Sequence, residues 1–262
     1  MTGRPRLRRA LLLLGGALVL LAVGGACLTA LASQPRPAGT AGADAEALTD
    51  AMWAAVDRAA WERTGAVRWR LRDGRPLHLW DRTRQLVEVT YDEESPPVRV
   101  LMDLATRRGV AFRGPALVPD GELGRWLERA YADWANDSFW LAAPFKARDP
   151  GTAREVVDVE AQRGLLVAYS SGGVTPGDAY LWELDERQRP VAWRMWVKII
   201  PVGGLRLTWE EWTELPTGAW IARTHKGPFD LTLRLDPLEG AETLEGLVGD
   251  ADPFAPLLAP SR

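Results

Sequence analysis

The pattern of apolar and polar positions changes period several times along the chain, and each change marks an element. Leu48, Met52, Ala55, Val56 and Ala59 recur at helical spacing, which predicts one helix over 45–64 with Asp44 as its N-cap. Gly65 stands where a left-handed residue would stop it. From Ala66 the period becomes two: Val67, Trp69 and Leu71 alternate with Arg68, Arg70 and Arg72, as in a strand with one face in the core. Turn-separated strands follow over 77–80, 85–91, 98–104 and 110–113, a meander whose inward set includes Trp80 and Met102.

The strongest helical signal comes next. Leu123, Trp126, Leu127, Ala130, Tyr131 and Trp134 fall at i, i+3, i+4, i+7, i+8 and i+11, with Asp120 placed to cap the start. The helix is predicted to stop near Asn136-Asp137, and Asp149-Pro150-Gly151 to end the connection. Strands then resume over 155–160, 165–171, 179–185, 191–200, 205–213, 219–225 and 229–235, separated by glycine-rich turns. In the longest, Val191, Trp193, Met195, Val197 and Ile199 share a face. The residues after Asp236, rich in Pro, Gly and Glu, are expected to form a loosely ordered acidic tail over 237–262.

A dozen or so strands with two helices predict an α+β, mainly β protein. Its curled antiparallel sheet, an incomplete barrel, is covered by those two helices, because open twisted sheets rarely exceed ~10 strands without curling. The folded domain is expected over 44–236, preceded by a flexible linker at 34–43.

The N-terminus changes the picture of where this domain works. Arg4, Arg6, Arg8 and Arg9 precede an uncharged run from Ala10 to Ser33, the pattern of an export or membrane signal over 1–33. Three fates remain open. The run is long enough to span a bilayer, Ala30-Leu31-Ala32 reads as a signal-peptide cleavage site, and Cys27 after Gly24-Gly25-Ala26 is a candidate for lipid attachment. Each puts the domain outside the cytoplasm, in the periplasm or attached to a membrane and facing that side. Removing the four leader arginines leaves 28 basic against 35 acidic residues, a balance of −7. An acidic body argues against a nucleic-acid partner, which needs a basic stripe. Cys27 is the one cysteine, so the folded body has neither disulfides nor cysteine metal sites.

Candidate chemistry is sparse. His78 and His225 are 147 positions apart without a paired-ligand spacing, so no metal site is expected. No Gly-x-Ser-x-Gly, phosphate-cradling loop or dinucleotide fingerprint occurs, and no catalytic set and no cofactor are predicted. Glu210, Glu211 and Glu214 beside Trp209 and Trp212 leave open a glycan hydrolase, against the plainer reading of solvated glutamates on a strand. The 13 Trp far outnumber the 5 Phe and 4 Tyr. Such rings fill cores and also line ligand clefts. Trp69, Trp80, Met102, Trp182, Trp193 and Met195 are the candidate cavity residues.

Two stretches carry a resemblance. One runs through Asn136, Asp137, Trp140, Pro144, Lys146, Arg148, Asp149 and Pro150 to Gly151; the other holds Thr175, Pro176, Gly177, Asp178 and Tyr180. They look like the signature segments of a family of exported bacterial proteins of unknown function, similar in architecture to the periplasmic lipoprotein carrier and its outer-membrane acceptor, the LolA/LolB-like fold. The resemblance covers about residues 45–236. It implies a half-barrel closed by helices, with an apolar cavity that accepts acyl chains; with no catalytic set in the sequence, a non-enzymatic protein binding a lipid or the acyl chain of a lipoprotein is expected. A structural or interaction protein of the cell envelope, its tryptophans packed into a core without ligand, is the other expectation.

Overall fold

The structure, a computed structural model, describes residues 33–159, 162–171 and 176–259. The leader through residue 32, with Cys27, and Thr175 lie outside the described residues.

Where one helix is expected over 45–64 there are two, α1 (Ala43–Ala55) and α2 (Arg58–Arg63). Asp57 between them takes a left-handed φ of 53° and its side chain accepts the Ala60 N–H at 2.8 Å, starting the second helix afresh. The Val56 carbonyl is taken instead by the N–H of Trp220, at 3.1 Å, so a tertiary contact claims the group that would have continued the helix. Gly65 serves a different purpose from the predicted one. A Cβ there would sit 2.1 Å from the Glu242 carbonyl oxygen, so the glycine permits a close backbone approach.

Five strands follow as predicted by their alternation: β1 (Ala66–Trp69), β2 (Leu77–Asp81), β3 (Leu86–Tyr91), β4 (Val98–Asp103) and β5 (Gly109–Arg113), with the short β6 (Ala116–Leu117) after them. Then come α3 (Asp120–Ala142) and a 3-10 turn, Ala143–Lys146. The second half contains β7 (Thr152–Val159), β8 (Gln162–Tyr169), β9 (Ala179–Leu184), β10 (Pro190–Trp196), β11 (Leu205–Thr208), β12 (Glu210–Glu214), β13 (Trp220–Lys226), β14 (Thr232–Arg234) and β15 (Leu238–Ala241). Two short helices, α4 (Leu244–Val248) and α5 (Ala255–Leu258), end the described chain. Among the described residues no helix is long and apolar enough to cross a membrane.

All pairing is antiparallel, in three sheets ordered β15-β1-β2-β3-β4-β5-β6, β11-β10-β9-β8-β7 and β12-β13-β14. The sheets are joined through the chain between them. Only Trp209 separates β11 from β12, and its N–H still donates to the Val191 carbonyl at 2.8 Å. Between β14 and β15 the ladder continues from Leu235 N–H to the Arg223 carbonyl (2.7 Å) and from Asp236 N–H to the Arg70 carbonyl (2.9 Å). The result is one bent antiparallel surface that does not close into a barrel. Its end strands are β6 and β7, and β7 is bridged on its outer side by Thr40.

The α3 helix lies inside this bend. Trp126 and Ala130 pack on Val87, Val89, Val100 and Met102 of the seven-stranded sheet. Leu141, Ala142 and Phe145 join Trp69, Trp80 and Ile221, and Ala143 and Ala147 join Trp182, Trp193 and Trp209. The helix therefore runs well past its predicted end. Asp137 does not turn the chain because its carboxylate is buried and bound from outside the helix, by Arg75 (2.7 Å) and His78 Nε2 (3.0 Å). Tertiary pairing overrides the turn preference of Asn-Asp.

Both flanking segments depart from expectation. Residues 34–43 are not a free tether: Thr40 and Val156 exchange backbone hydrogen bonds at 2.9 Å, and Gln34 is bound to Gly203. Residues 237–259 are not a loose tail. The β15 strand extends the large sheet beside β1, and Phe254 is fully buried against Leu79, Leu86 and Leu101 on its outer face. Arg84 clamps Asp252 through two hydrogen bonds of 2.8 and 3.0 Å.

Candidate functional site

A cavity of about 480 Å³ opens between α3 and the five-stranded sheet. Its walls are largely apolar and aromatic. Tyr131, Trp134, Ser138, Phe139 and Trp140 come from the helix; Tyr169, Tyr180, Trp193 and Met195 come from β8, β9 and β10. The loop after β10 adds Val197, Ile199 and Ile200. That loop replaces the last four residues of the predicted strand 191–200, because β10 stops at Trp196. A register shift between Pro190 and Ala192 also turns Val191 outward, to 40% exposure.

The aromatic walls form one connected stack. Phe139 lies 4.9 Å from Tyr180 and 5.5 Å from Tyr169, ring to ring, and Trp193 lies 4.7 Å from Tyr180 and 4.9 Å from Trp140. Burial, reinforced by the Asp178 carboxylate, pushes the Tyr180 phenol well above its usual range. Burial, then the charge of Asp149, does the same to Tyr169. Both phenols stay protonated and uncharged at any physiological pH. Behind Trp140 sits His225, fully buried, 5.3 Å from that ring and 4.3 Å from Trp209, with Nδ1 against the Thr208 carbonyl at 3.2 Å. Burial holds its imidazole down at about 4, with the Thr208 and Trp140 carbonyls offsetting only part of the effect. The backing of the cavity is thus neutral.

Polar groups in the lining are few: Asn136, Ser138, Lys146, Asp149, Ser171 and Asp178. Lys146 Nζ donates to Asp149 at 2.8 Å, so the one cation of the lining is neutralised locally. The Asp178 carboxylate accepts the Lys198 N–H at 3.1 Å.

The two signature stretches meet here although they are far apart in sequence. Asn136, Trp140, Lys146, Asp149 and Pro150 of the first, and Asp178 and Tyr180 of the second, all line the cavity. The remaining members hold the frame. The Pro144 carbonyl accepts Trp53 Nε1–H at 2.9 Å, fastening α1. Arg148 binds Glu46 (2.9 Å) and Asp50 (2.6 Å) on the same helix, and Trp53 lies under both Arg148 and Arg58. Asp137 locks α3 to the seven-stranded sheet. Its carboxyl is pushed up by burial, but hydrogen bonds from His78 and Arg75 outweigh that and hold it below the ordinary value. Pro176 and Gly177 form the turn before Asp178, with Gly177 at a φ of 103°.

Of the six predicted cavity residues, Trp193 and Met195 border the cavity. Trp69, Trp80, Met102 and Trp182 are packed elsewhere in the core: Trp69 against His78 at 4.7 Å, Trp80 against Trp134 at 5.3 Å, Trp182 against Trp209 at 5.0 Å, and Met102 among the valines under Trp126. All six point inward, but only β8 to β10 face the space that α3 leaves open. Phe139, Tyr169 and Ile200 are outside the predicted set; the apolar sequence Ile199-Ile200-Pro201-Val202 at a strand end is the signal that marks the mouth.

The glutamates lie away from the cavity. Glu210 pairs with Lys226 at 2.6 Å, and Glu211 accepts from Thr224 (2.8 Å) and from Arg234. Lys226 chiefly holds Glu210 below the ordinary carboxyl range, and Thr224 followed by Arg234 does so for Glu211. A general acid needs the opposite shift. Among the described residues no group of three or more His, Cys, Asp or Glu is placed to hold a metal ion. No family model, curated protein or solved structure matches the chain.

Proposed function

We propose that the chain is an exported, non-enzymatic envelope protein of LolA-like half-barrel design that binds an apolar ligand, an acyl chain of a lipid or lipoprotein, between its bent sheet and α3. The carrying observation is the 480 Å³ space walled by Phe139, Trp140, Trp193, Met195 and Val197, with seven signature residues on its surface. Its size falls within the roughly 300–1,000 Å³ of small-molecule sites, and its composition is that of such sites: apolar walls with a few convergent polar groups. The neutral phenols and the locally paired Lys146–Asp149 charges suit a long uncharged chain. Export is supported by the leader, whose arginines and uncharged run lie outside the described residues.

The experiment is extraction. The full chain, purified in mild detergent and denatured in organic solvent, is expected to release an acyl lipid in near-stoichiometric amount by mass spectrometry. Release no greater than from an unrelated protein prepared alongside rejects the reading.

A further inference from the structure

The described chain starts at one defined place on the body. Ser33 and Gln34 are bound to the loop between β10 and β11. The Gly203 N–H donates to Ser33 Oγ at 2.9 Å, the Gln34 N–H to the Gly203 carbonyl at 2.9 Å, and Trp196 Nε1–H to the Gln34 carbonyl at 2.8 Å. Gly203 is required for this approach, since a Cβ there would lie 2.8 Å from the Gln34 carbonyl oxygen and 2.6 Å from Trp196 Cδ1. The described chain therefore begins, at Ser33, on the loop that supplies Val197, Ile199 and Ile200 to the cavity.

The same edge carries two exposed apolar tips. Ile199 is 75% exposed and Phe229, in the turn between β13 and β14, is 100% exposed. The two turns are neighbours: Met195 pairs with Leu205 at the start of β11, the Lys226 N–H donates to Thr208 Oγ1 at 3.0 Å, and Gly227 packs on Leu207. Phe229 also has a left-handed φ of 58°, a conformation that Asn, Asp and Gly adopt readily and Phe rarely does. An aromatic ring held fully in water on a disfavoured backbone gains nothing for the fold, which points to a use for it. Charges at the two turns are mixed, Lys198 and Lys226 against Asp230 and against Asp178, whose carboxylate accepts the Lys198 N–H, so this edge has no net electrostatic preference for an anionic surface.

We infer that the protein docks on a lipid bilayer through this edge, with the Ile199 and Phe229 tips and the cavity mouth meeting one membrane surface. The occupant is the bilayer because the 32 residues before the described chain contain an uncharged, membrane-seeking run, and the described chain begins at Ser33 on the loop that lines the cavity. Where the cavity takes an acyl chain, as proposed above, the chain passes between bilayer and cavity without crossing water. That consequence rests on the proposed function; the docking does not.

The test uses the full chain reconstituted in phosphatidylcholine vesicles, with a photo-crosslinking phenylalanine analogue in place of Phe229 or of Gln85, which is exposed in the β2–β3 turn whose Arg82 binds Thr64 and, through it, Thr217 at the other end of β13 from Phe229. Lipid adducts are expected at 229 and not at 85. Equal yields at the two positions, or adducts at 229 to a second copy of the chain in place of lipid, overturn the inference. A second variant, Phe229→Asp, suits the local backbone and leaves the cavity wall intact. It is expected to slow transfer of a fluorescent fatty acid from vesicles at least tenfold while binding the same fatty acid, added dissolved, with unchanged affinity. Transfer at the parent rate overturns the docking. Lipid adducts at 229 with no binding of dissolved fatty acid would instead reject the ligand reading and leave the docking intact.

Discussion

His225 offers a quantitative test of the neutral backing behind the cavity. Its imidazole titrates at about 4 in the fold against 6.5 for an unconstrained histidine, because burial penalises the charged form. Between these values the unfolded chain binds a proton that the folded chain refuses, so stability present above pH 6.5 is lost as pH falls toward 4. Each step of one in pH across this window is worth about 1.36 kcal/mol, so the loss reaches about 1.4 kcal/mol at pH 5.5, about 2 kcal/mol at pH 5 and about 3 kcal/mol near pH 4. The perturbation is His225→Asn, whose amide keeps a donor toward the Thr208 carbonyl and does not titrate. Urea unfolding of parent and variant, followed by Trp fluorescence from about pH 7.5 to about pH 5.0, gives the difference in stability at each pH. The variant starts less stable by a constant packing cost, and its deficit is expected to shrink by about 2 kcal/mol across that range. Carboxylates held low in the fold titrate alike in both proteins and cancel. Two curves that fall in parallel would refute a histidine kept neutral by burial.

Two further substitutions probe the frame of the site. Asp137→Ala leaves His78 and Arg75 without their shared carboxylate, although Arg75 keeps Asp133 at 2.9 Å, so a loss of about 3 kcal/mol is expected in urea unfolding, at the low end for breaking a buried pair; a loss under about 1 kcal/mol would contradict a structural lock there. Gly203→Ala forces Gln34 and Trp196 off the β10–β11 loop, and the Gln34 amide is expected to exchange with solvent about 30-fold faster, the equivalent of two hydrogen bonds at about 1 kcal/mol each; exchange unchanged by the substitution would mean that Gln34 is not held on this loop.

Part of the mainly β architecture is legible in alternation, because strands such as β3 and most of β10 bury one face and keep a period of two, whereas β8 and β9 are buried on both faces, Leu165, Val167 and Trp182 on one and Leu166 and Leu181 on the other. What is not legible has a common cause in contacts between distant segments. The break at Asp57 depends on Trp220 taking the Val56 carbonyl, and the extension of α3 depends on Arg75 and His78 meeting Asp137. The C-terminal segment is ordered by a four-residue edge strand and one phenylalanine, too little apolar sequence to signal a strand against a background of Pro, Gly and Glu. The inward tryptophans are readable as inward. Which of them border open space depends on the volume α3 leaves over β8 to β10, a property of packing that no single segment encodes. The signature residues carry more of the site: seven of them line the cavity, and Arg148, Pro144 and Asp137 hold the helices that shape it.

Occupancy of the cavity by an apolar chain is decided by a single titration. Delipidated full chain is titrated with a fluorescent fatty acid, in parallel with Val197→Trp, which places an indole in the cavity from the loop beside the mouth. Saturable binding of one ligand per chain is expected, with at least tenfold weaker binding by the substituted protein. Absence of saturation, or equal affinity in the two proteins, would contradict an acyl chain held between the bent sheet and α3.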